Sequence, residues 1–182
     1  FCMANKFWVG GTGNWSDDDN HWALTSGGSP SVGNLPTSSD NVFIDSSSGF
    51  GSGGTITLDD SGSCNNFISN SGDTYSLTGE ASLGIYGSFT GESGLTFQGV
   101  LEFFSESSET ITSNAMSFNP SEFNISGTGT WTLQDDLNID GCYFYQGNGT
   151  FDANDHNVTA SSFSFYAATG YTPTVIMGSG TW

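Results

Sequence analysis

The stretch FNISGTGTWTL, residues 123–133, favours one β fold over its rivals because a related stretch, VIMGSGTW, returns at residues 175–182. Trp131 and Trp182 are therefore 51 residues apart in matching contexts. Short strands in imperfect tandem repetition are typical of a solenoid, in which each coil stacks on the one before it. Two coils of roughly 20–25 residues each would fill that interval.

Short strands with alternating polarity run from residue 55 to the end of the chain. TITL at 55–58 and LTFQGVLEFF at 95–104 alternate in this way, and no segment shows a helical period of apolar residues. The sequence therefore predicts an all-β fold, a right-handed parallel β-helix of roughly five or six coils. A β-sandwich remains the alternative, because it also places strands every 8–12 residues or so.

The first fifty residues have a different composition, most clearly in NKFWVGGTGNWSDDDNHWALTSGG at 5–28. Its glycines would each weaken a helix by about 1 kcal/mol. A solenoid needs a cap over its terminal coil, so we predict a cap or attachment region at 1–50 and a repetitive solenoid at 51–182, leaving open its continuation past Trp182. The cap side chains, with the indoles lying flat over the first coil, would be Trp8, Gly10, Gly11, Gly13, Trp15, His21 and Trp22.

The charge balance excludes several partners. Lys6 is the sole basic residue against 19 Asp and Glu, and the formal net charge is −18. Nucleic acids and anionic membranes are bound through Lys and Arg, so neither is an expected partner. No apolar run is long enough to span a membrane. Cys2, Cys64 and Cys142 lack the spacing of a zinc site, and we expect buried thiols.

Catalytic chemistry has few candidates. His21 and His156 are the only histidines, and neither lies in a nucleophile or metalloprotease motif. A glycan hydrolase, kept as an alternative, needs two carboxylates facing one cleft. We expect solvated turn acids and no enzyme, although three groups could in principle supply such a pair: Glu102, Glu106 and Glu109; Asp59 and Asp60; Asp135 and Asp136.

Two further features predict binding. The hard oxygens of Asp17, Asp18 and Asp19 suit calcium, although our leading expectation is no cofactor. Tyr143, Phe144 and Tyr145 are consecutive, so at least one ring must face outward from a strand. Tyr86, Phe103, Phe104, Phe165 and Tyr166 raise the same question. Exposed rings would contact a neighbouring subunit or a glycan.

The N-terminal block resembles a motif of the form W-V-G-G-x-G-x-W…H-W…S-G-G…D-x-V-x-x-D. This motif is found in repetitive β-rich surface proteins, namely phage tail-fibre or decoration proteins and large bacterial adhesin-like proteins. The matching residues are Trp8, Val9, Gly10, Gly11, Gly13, Trp15, His21, Trp22, Ser26, Gly27, Gly28, Pro36, Asp40, Val42 and Asp45.

The resemblance implies a non-enzymatic structural or adhesive role at a virion surface, in assembly and attachment. A secreted adhesin or filament subunit at the bacterial cell surface is the alternative. Expected partners are other virion or filament subunits, in a homo-oligomer, and a host-surface glycan.

Overall fold

A computed structural model describes residues 3–119, 122–166 and 170–182, which form a β-solenoid of about six turns. The strands are short because turns interrupt the chain every few residues. In chain order the elements are β1 (Asn5–Trp8), β2 (Gly13–Asn14), α1 (Asp18–His21), β3 (Trp22–Ala23), β4 (Asn41–Ile44), β5 (Thr55–Leu58), β6 (Gly62–Cys64), β7 (Phe67–Ser69), β8 (Tyr75–Ile85), β9 (Phe89–Thr90), β10 (Leu95–Phe103), β11 (Ser108–Thr112), β12 (Ser117–Phe118), β13 (Glu122–Ile125), β14 (Thr130–Leu133), β15 (Leu137–Gln146), β16 (Thr150–Asp152), β17 (Val158–Phe165) and β18 (Thr174–Ile176).

These strands form two nine-stranded sheets that run the length of the stack. Sheet A has the order β18-β16-β14-β11-β9-β7-β4-β1-β3. Sheet B has the order β17-β15-β13-β10-β8-β5-β2, with β12 beside β10 and β6 beside β8. Among the described residues, only the β1–β3 pair is antiparallel. The predicted β-helix is confirmed, and the β-sandwich, which needs antiparallel sheets, is wrong.

The register gives the length of one coil. Phe67, Phe89, Ile111 and Leu133 take the same place in successive strands of sheet A, 22 residues apart. This spacing confirms the predicted coil length. The four side chains point inward and are buried, and each such burial contributes roughly 1.5–3 kcal/mol.

Trp182 does not take the place that the repeat predicted. The residues paired with Trp131 in the next two coils are Phe151 and Val175. Trp182 instead follows β18, is 37% exposed and donates its indole N–H to the Met177 carbonyl at 3.3 Å. The two glycine-tryptophan stretches therefore lie at different corners of the coil, although the fold they suggested is right.

Sheet B bends in the middle of its long strands, so each coil has three straight segments. The pairing of β10 with β8 shifts register between Gln98 and Val100, and that of β15 with β17 shifts between Ile139 and Tyr143. Gly99 lies at the first bend with a φ of 148°, and a Cβ there would meet the Gly79 carbonyl oxygen at 3.0 Å. We call the part of sheet B after the bend the second arm: residues 62–64, 82–85, 100–103, 122–125, 142–146 and 162–165.

Two small elements were not predicted from the sequence. Strand β6 has the sequence Gly-Ser-Cys, which carries no strand signal, and pairs with the second arm of β8. Helix α1 is a single turn in a block where the sequence predicted no helix. No helix in the described ranges is long and apolar enough to cross a membrane.

Candidate functional site

The three tryptophans of the N-terminal block are core residues. Trp8, Trp15 and Trp22 are each at most 1% exposed. Trp22 meets Trp8 edge to face at 84°, and it meets Trp15 at 69°. The expected flat layer of indoles is therefore wrong, because the rings interlock inside the first coil instead of lying across it.

His21 fixes the geometry of this cluster. Its ring stacks on Trp8 with centroids 4.5 Å apart and planes at 4°, and its Nδ1 lies 2.8 Å from the Val9 carbonyl oxygen. Gly13 lies against the imidazole where no Cβ would fit. Gly10 and Gly11 have φ values of 81° and 71°, which L side chains avoid.

The N-terminal end of the stack is covered by its own chain. Strand β3 runs antiparallel to β1, and the Trp22 carbonyl accepts hydrogen bonds from the Ser31 N–H at 3.3 Å and from Asn34 Nδ2 at 3.1 Å. Strands β1 and β2 in turn pair with β4 and β5. The strands on both sides of residue 50 thus belong to the same two sheets, and the proposed division at that residue stays a prediction.

The three carboxylates of the aspartate block do not converge in the described part of the chain, and the calcium site stays a prediction. Asp17 accepts two hydrogen bonds from Asn20 Nδ2, at 2.9 and 3.0 Å, and Asp18 accepts one from the Gly33 N–H at 2.6 Å. Asp19 is exposed. No group of three or more His, Cys, Asp and Glu side chains converges there or elsewhere in the described ranges.

Many carboxylates instead link one coil to the next. Glu92 accepts bonds from Ser69 Oγ at 2.5 Å, Ser71 N–H at 3.0 Å and Gly72 N–H at 2.9 Å. These donors lie one coil earlier, 20–23 residues away. Other carboxylates that reach across coils in this way, which we call the corner carboxylates together with Glu92, are Asp59, Asp73, Glu109, Asp135, Asp136, Asp140 and Asp155.

Hydrogen bonds hold several corner carboxylates in the charged form. Burial alone would raise the pKa of Glu92, but the bonds from Ser69, Ser71 and Gly72 together outweigh burial and hold the pKa below its usual value. The backbone N–H of Asn157 lowers the pKa of Asp136, and the backbone N–H of Ser179 lowers that of Asp155. These acids therefore act as structural acceptors.

Asp135 and Asp136, one of the candidate hydrolase pairs, hydrogen-bond to opposite neighbouring coils. Asp135 accepts bonds from the Ser113 and Asn114 N–H groups of the coil before it, whereas its neighbour Asp136 accepts from Asn157 in the coil after it. Asp136 also lies 3.6 Å from His156.

Three of the remaining candidate acids have separate hydrogen-bond partners. Asp59 binds Ser16, Asp60 accepts from its neighbour Ser61, and Glu109 accepts from Ser88. Glu106 is exposed.

The cysteines behave as expected where the structure describes them. Cys64 and Cys142 are buried, and burial raises the pKa of the Cys64 thiol. Cys2 lies outside the described residues.

The aromatic triplet divides between the core and the surface. Phe144 is fully buried and stacks on Phe123 and Phe163, so its predicted surface contact is wrong. Tyr143 and Tyr145 point outward from the second arm and stack on each other with centroids 6.1 Å apart. Alternation along the strand separates them from Phe144.

A second pair of rings lies at the end of the same arm. Tyr86 and Phe104 follow β8 and β10, and their rings stack with centroids 5.2 Å apart. A Cβ on Gly84 would meet Phe104 at 3.2 Å and Tyr86 at 3.4 Å, so both rings lie over this glycine. The sequence raised the exposure of these rings as a question, but not their position over Gly84.

The opposite end of the stack exposes apolar side chains. Phe165 is 56% exposed and Met177 is 50% exposed, and together with Trp182 they line one groove. Phe163, Pro173 and Val175 complete its apolar lining.

Comparison with known proteins gives no match. Neither protein-family models, nor curated proteins, nor solved structures give a match to this chain.

Proposed function

We propose that this chain is a non-enzymatic structural and adhesive protein of a virion surface, of tail-fibre or capsid-decoration type, acting in assembly and attachment. The observation that carries the proposal is that ionisable side chains link neighbouring coils through hydrogen bonds. Glu92, Asp135 and Asp136 each bind donors in a neighbouring coil. Carboxylates that link successive coils by hydrogen bonds in this way suit a rigid stalk or platform.

Two further features support this role. The motif around Trp8, Trp15 and Trp22 resembles that of phage surface proteins and bacterial adhesins. The apolar groove beside Phe165 and Trp182 offers contact area for other subunits of a particle, in a homo-oligomer.

Cryo-electron microscopy of the native particle tests the proposal. The expected result is a rod of this solenoid on a tail or capsid, with the Trp8 end at the point of anchorage. A cell-derived filament in which the Trp182 end stacks on the next subunit's Trp8 end would overturn the virion role and support the secreted adhesin or filament alternative.

A further inference from the structure

The outer surface of the second arm differs from the rest of the solenoid. Outward positions of sheet A from β9 to β16 and of the first part of sheet B are mostly Thr and Ser, as in Thr130, Thr132 and Thr150. One outward ring pair, Phe7 with Phe43, lies at the N-terminal end of sheet A without acids between its rings. The second arm instead carries two ring pairs with acids between them. We call this surface the aromatic face, formed by Tyr86, Glu102, Phe104, Glu122, Tyr143 and Tyr145.

The register fixes the spacing of the two ring pairs. Gly84, Glu102, Asn124 and Tyr145 occupy one row across four neighbouring strands. Three strand spacings of about 4.8 Å place the rings over Gly84 roughly 14 Å from Tyr145. A ligand that meets both pairs must be extended along the solenoid axis.

The acids between the rings are not corner carboxylates. Within the described ranges, neither Glu102 nor Glu122 makes a side-chain hydrogen bond or ion pair. Lys6 carries the only Lys or Arg charge of the chain, and it is buried in β1, far along the stack. Two uncompensated carboxylates therefore lie between two aromatic pairs, and they favour a ligand with positive charge.

An unsatisfied acceptor lies in the same row. Asn124 Oδ1 is covered and has no hydrogen-bond partner among the described residues. Buried polar atoms are normally paired. A hydroxyl or ammonium donor brought between Glu102 and Tyr145 would satisfy this oxygen once the amide turns it toward the surface.

The backbone of this face cannot recruit a peptide strand. Strands β10, β13 and β15 are hydrogen-bonded on both sides within sheet B. Strand addition needs a free edge, so a ligand must bind through side chains alone. Separated rings with polar groups between them suit a chain of sugar rings, whose C–H faces stack on aromatics and whose edges carry hydroxyl groups.

We propose that the aromatic face binds an extended polysaccharide that carries free amino groups. Tyr86 with Phe104, and Tyr143 with Tyr145, stack on sugar rings, while Glu102 and Glu122 receive the ammonium groups in charge-assisted hydrogen bonds. Polysaccharides with carboxylate or sulfate groups are repelled. This inference rests on the adhesive part of the proposed function, for which it names the ligand class.

Calorimetric titration of the whole chain with a glucosamine hexamer tests the role of the rings. Y143A/Y145A should bind about tenfold more weakly, a loss of about 1.4 kcal/mol. The matched control is F7A, which removes an outward ring of sheet A that stacks on Phe43 and should bind as the wild type does. Circular dichroism and thermal unfolding establish that each variant is folded.

The tyrosine variant leaves the net charge of −18 unchanged, which separates a built site from general attraction of a polycation. If the wild type does not bind the hexamer, or if Y143A/Y145A binds it as tightly as the wild type, the proposal is overturned. Equal binding of oligolysine with the same dependence on the tyrosines would overturn it in favour of a basic peptide.

The role of Glu102 and Glu122 is tested by the preference of the protein among oligosaccharides of different charge. The wild type should prefer the glucosamine hexamer to its N-acetylated form and should not bind oligogalacturonate. E102Q/E122Q should lose the preference, whereas E106Q, an exposed acid outside the face, should keep it. A preference unchanged in E102Q/E122Q overturns the assignment. Failure here leaves the position of the chain on the particle untouched, so it is distinguishable from failure of the proposed function.

Discussion

Glu92 lies one coil beyond Ser71 and accepts hydrogen bonds from both the Ser71 N–H, at 3.0 Å, and the Ser71 hydroxyl, at 2.7 Å. A corner of a parallel solenoid leaves backbone N–H groups that no strand partner can reach. A carboxylate with several acceptor positions satisfies such groups. Much of the acidity of this chain is therefore part of its architecture, beyond its effect on solubility.

Replacing Glu92 with Gln should lower the free energy of unfolding by about 1–3 kcal/mol at pH 7, because a charged acceptor of several hydrogen bonds is lost. The pKa of Glu92 is lowered in the folded protein. Its contribution is therefore present above the unfolded pKa of about 4.3 and is lost as the pH falls through the folded pKa.

Urea unfolding at neutral pH and near pH 3 measures this effect. The difference between wild type and E92Q should be large at neutral pH and small in acid. E106Q, which changes an exposed acid, is the matched control and should show little difference at either pH. A Glu92 difference that is constant with pH would show that the side chain acts through packing and not through its charge.

Two buried tryptophans should respond differently to the same substitution. Trp131 Nε1 is buried with no hydrogen-bond partner among the described residues, whereas Trp8 Nε1 donates to the Gly11 carbonyl at 2.7 Å. W131F removes an unpaired donor, so part of the cost of the smaller ring is offset. W8F leaves the Gly11 oxygen without its donor.

We expect W8F to destabilise the protein by about 1 kcal/mol more than W131F, and W131A to cost about 3–5 kcal/mol. Thermal and urea unfolding of the three variants measure the order. A greater loss in W131F than in W8F would mean that ring volume, and not hydrogen bonding, dominates at both positions.

The register of β15 predicts opposite outcomes at adjacent positions. Phe144 is buried and Tyr143 is 55% exposed. F144A should destabilise the protein by about 3–5 kcal/mol through the cavity it leaves, whereas Y143A should stay within roughly 0.5 kcal/mol of the wild type. Equal losses in the two variants would contradict the register of the second arm.

Calcium should stabilise the protein no more than sodium chloride at equal ionic strength. The Asp17 and Asp18 carboxylates already accept bonds from Asn20 and Gly33, and a net charge of −18 is screened by any salt. Melting temperatures measured in the two salts provide the comparison. A larger rise in calcium, absent in D17N/D19N, would support the predicted calcium site.

The sequence predicted the solenoid because side-chain alternation and coil length are local properties. Phe67, Phe89 and Ile111 recur at a nearly constant interval, which short strands and tight turns impose. The alignment of residues between successive coils was harder to predict from the sequence. Trp182 resembles Trp131 in its neighbours but lies at another corner, because coils of unequal length shift one glycine-rich turn relative to the next.

The candidate sites, too, were predicted from the sequence only in part. Alternation alone required an outward ring among Tyr143, Phe144 and Tyr145, and the structure decided that Phe144 is the buried one. Nothing local indicated that Asp135 and Asp136 bind opposite neighbouring coils. Their partners are about a full coil away in sequence, beyond the reach of any short motif.

By itself, the sequence determined the all-β class, a coil length of roughly 20–25 residues and the burial of an aromatic core, because these follow from side-chain periodicity and glycine placement. The tertiary structure decided which residues of successive coils meet at each corner. It therefore decided that Glu92 and its counterparts link coils, and that Tyr86 and Phe104 share a face with Tyr143 and Tyr145. Residues one or more coils apart become neighbours only when the coils stack. Their hydrogen bonds and ring contacts therefore depend on a register between coils that no local sequence pattern encodes.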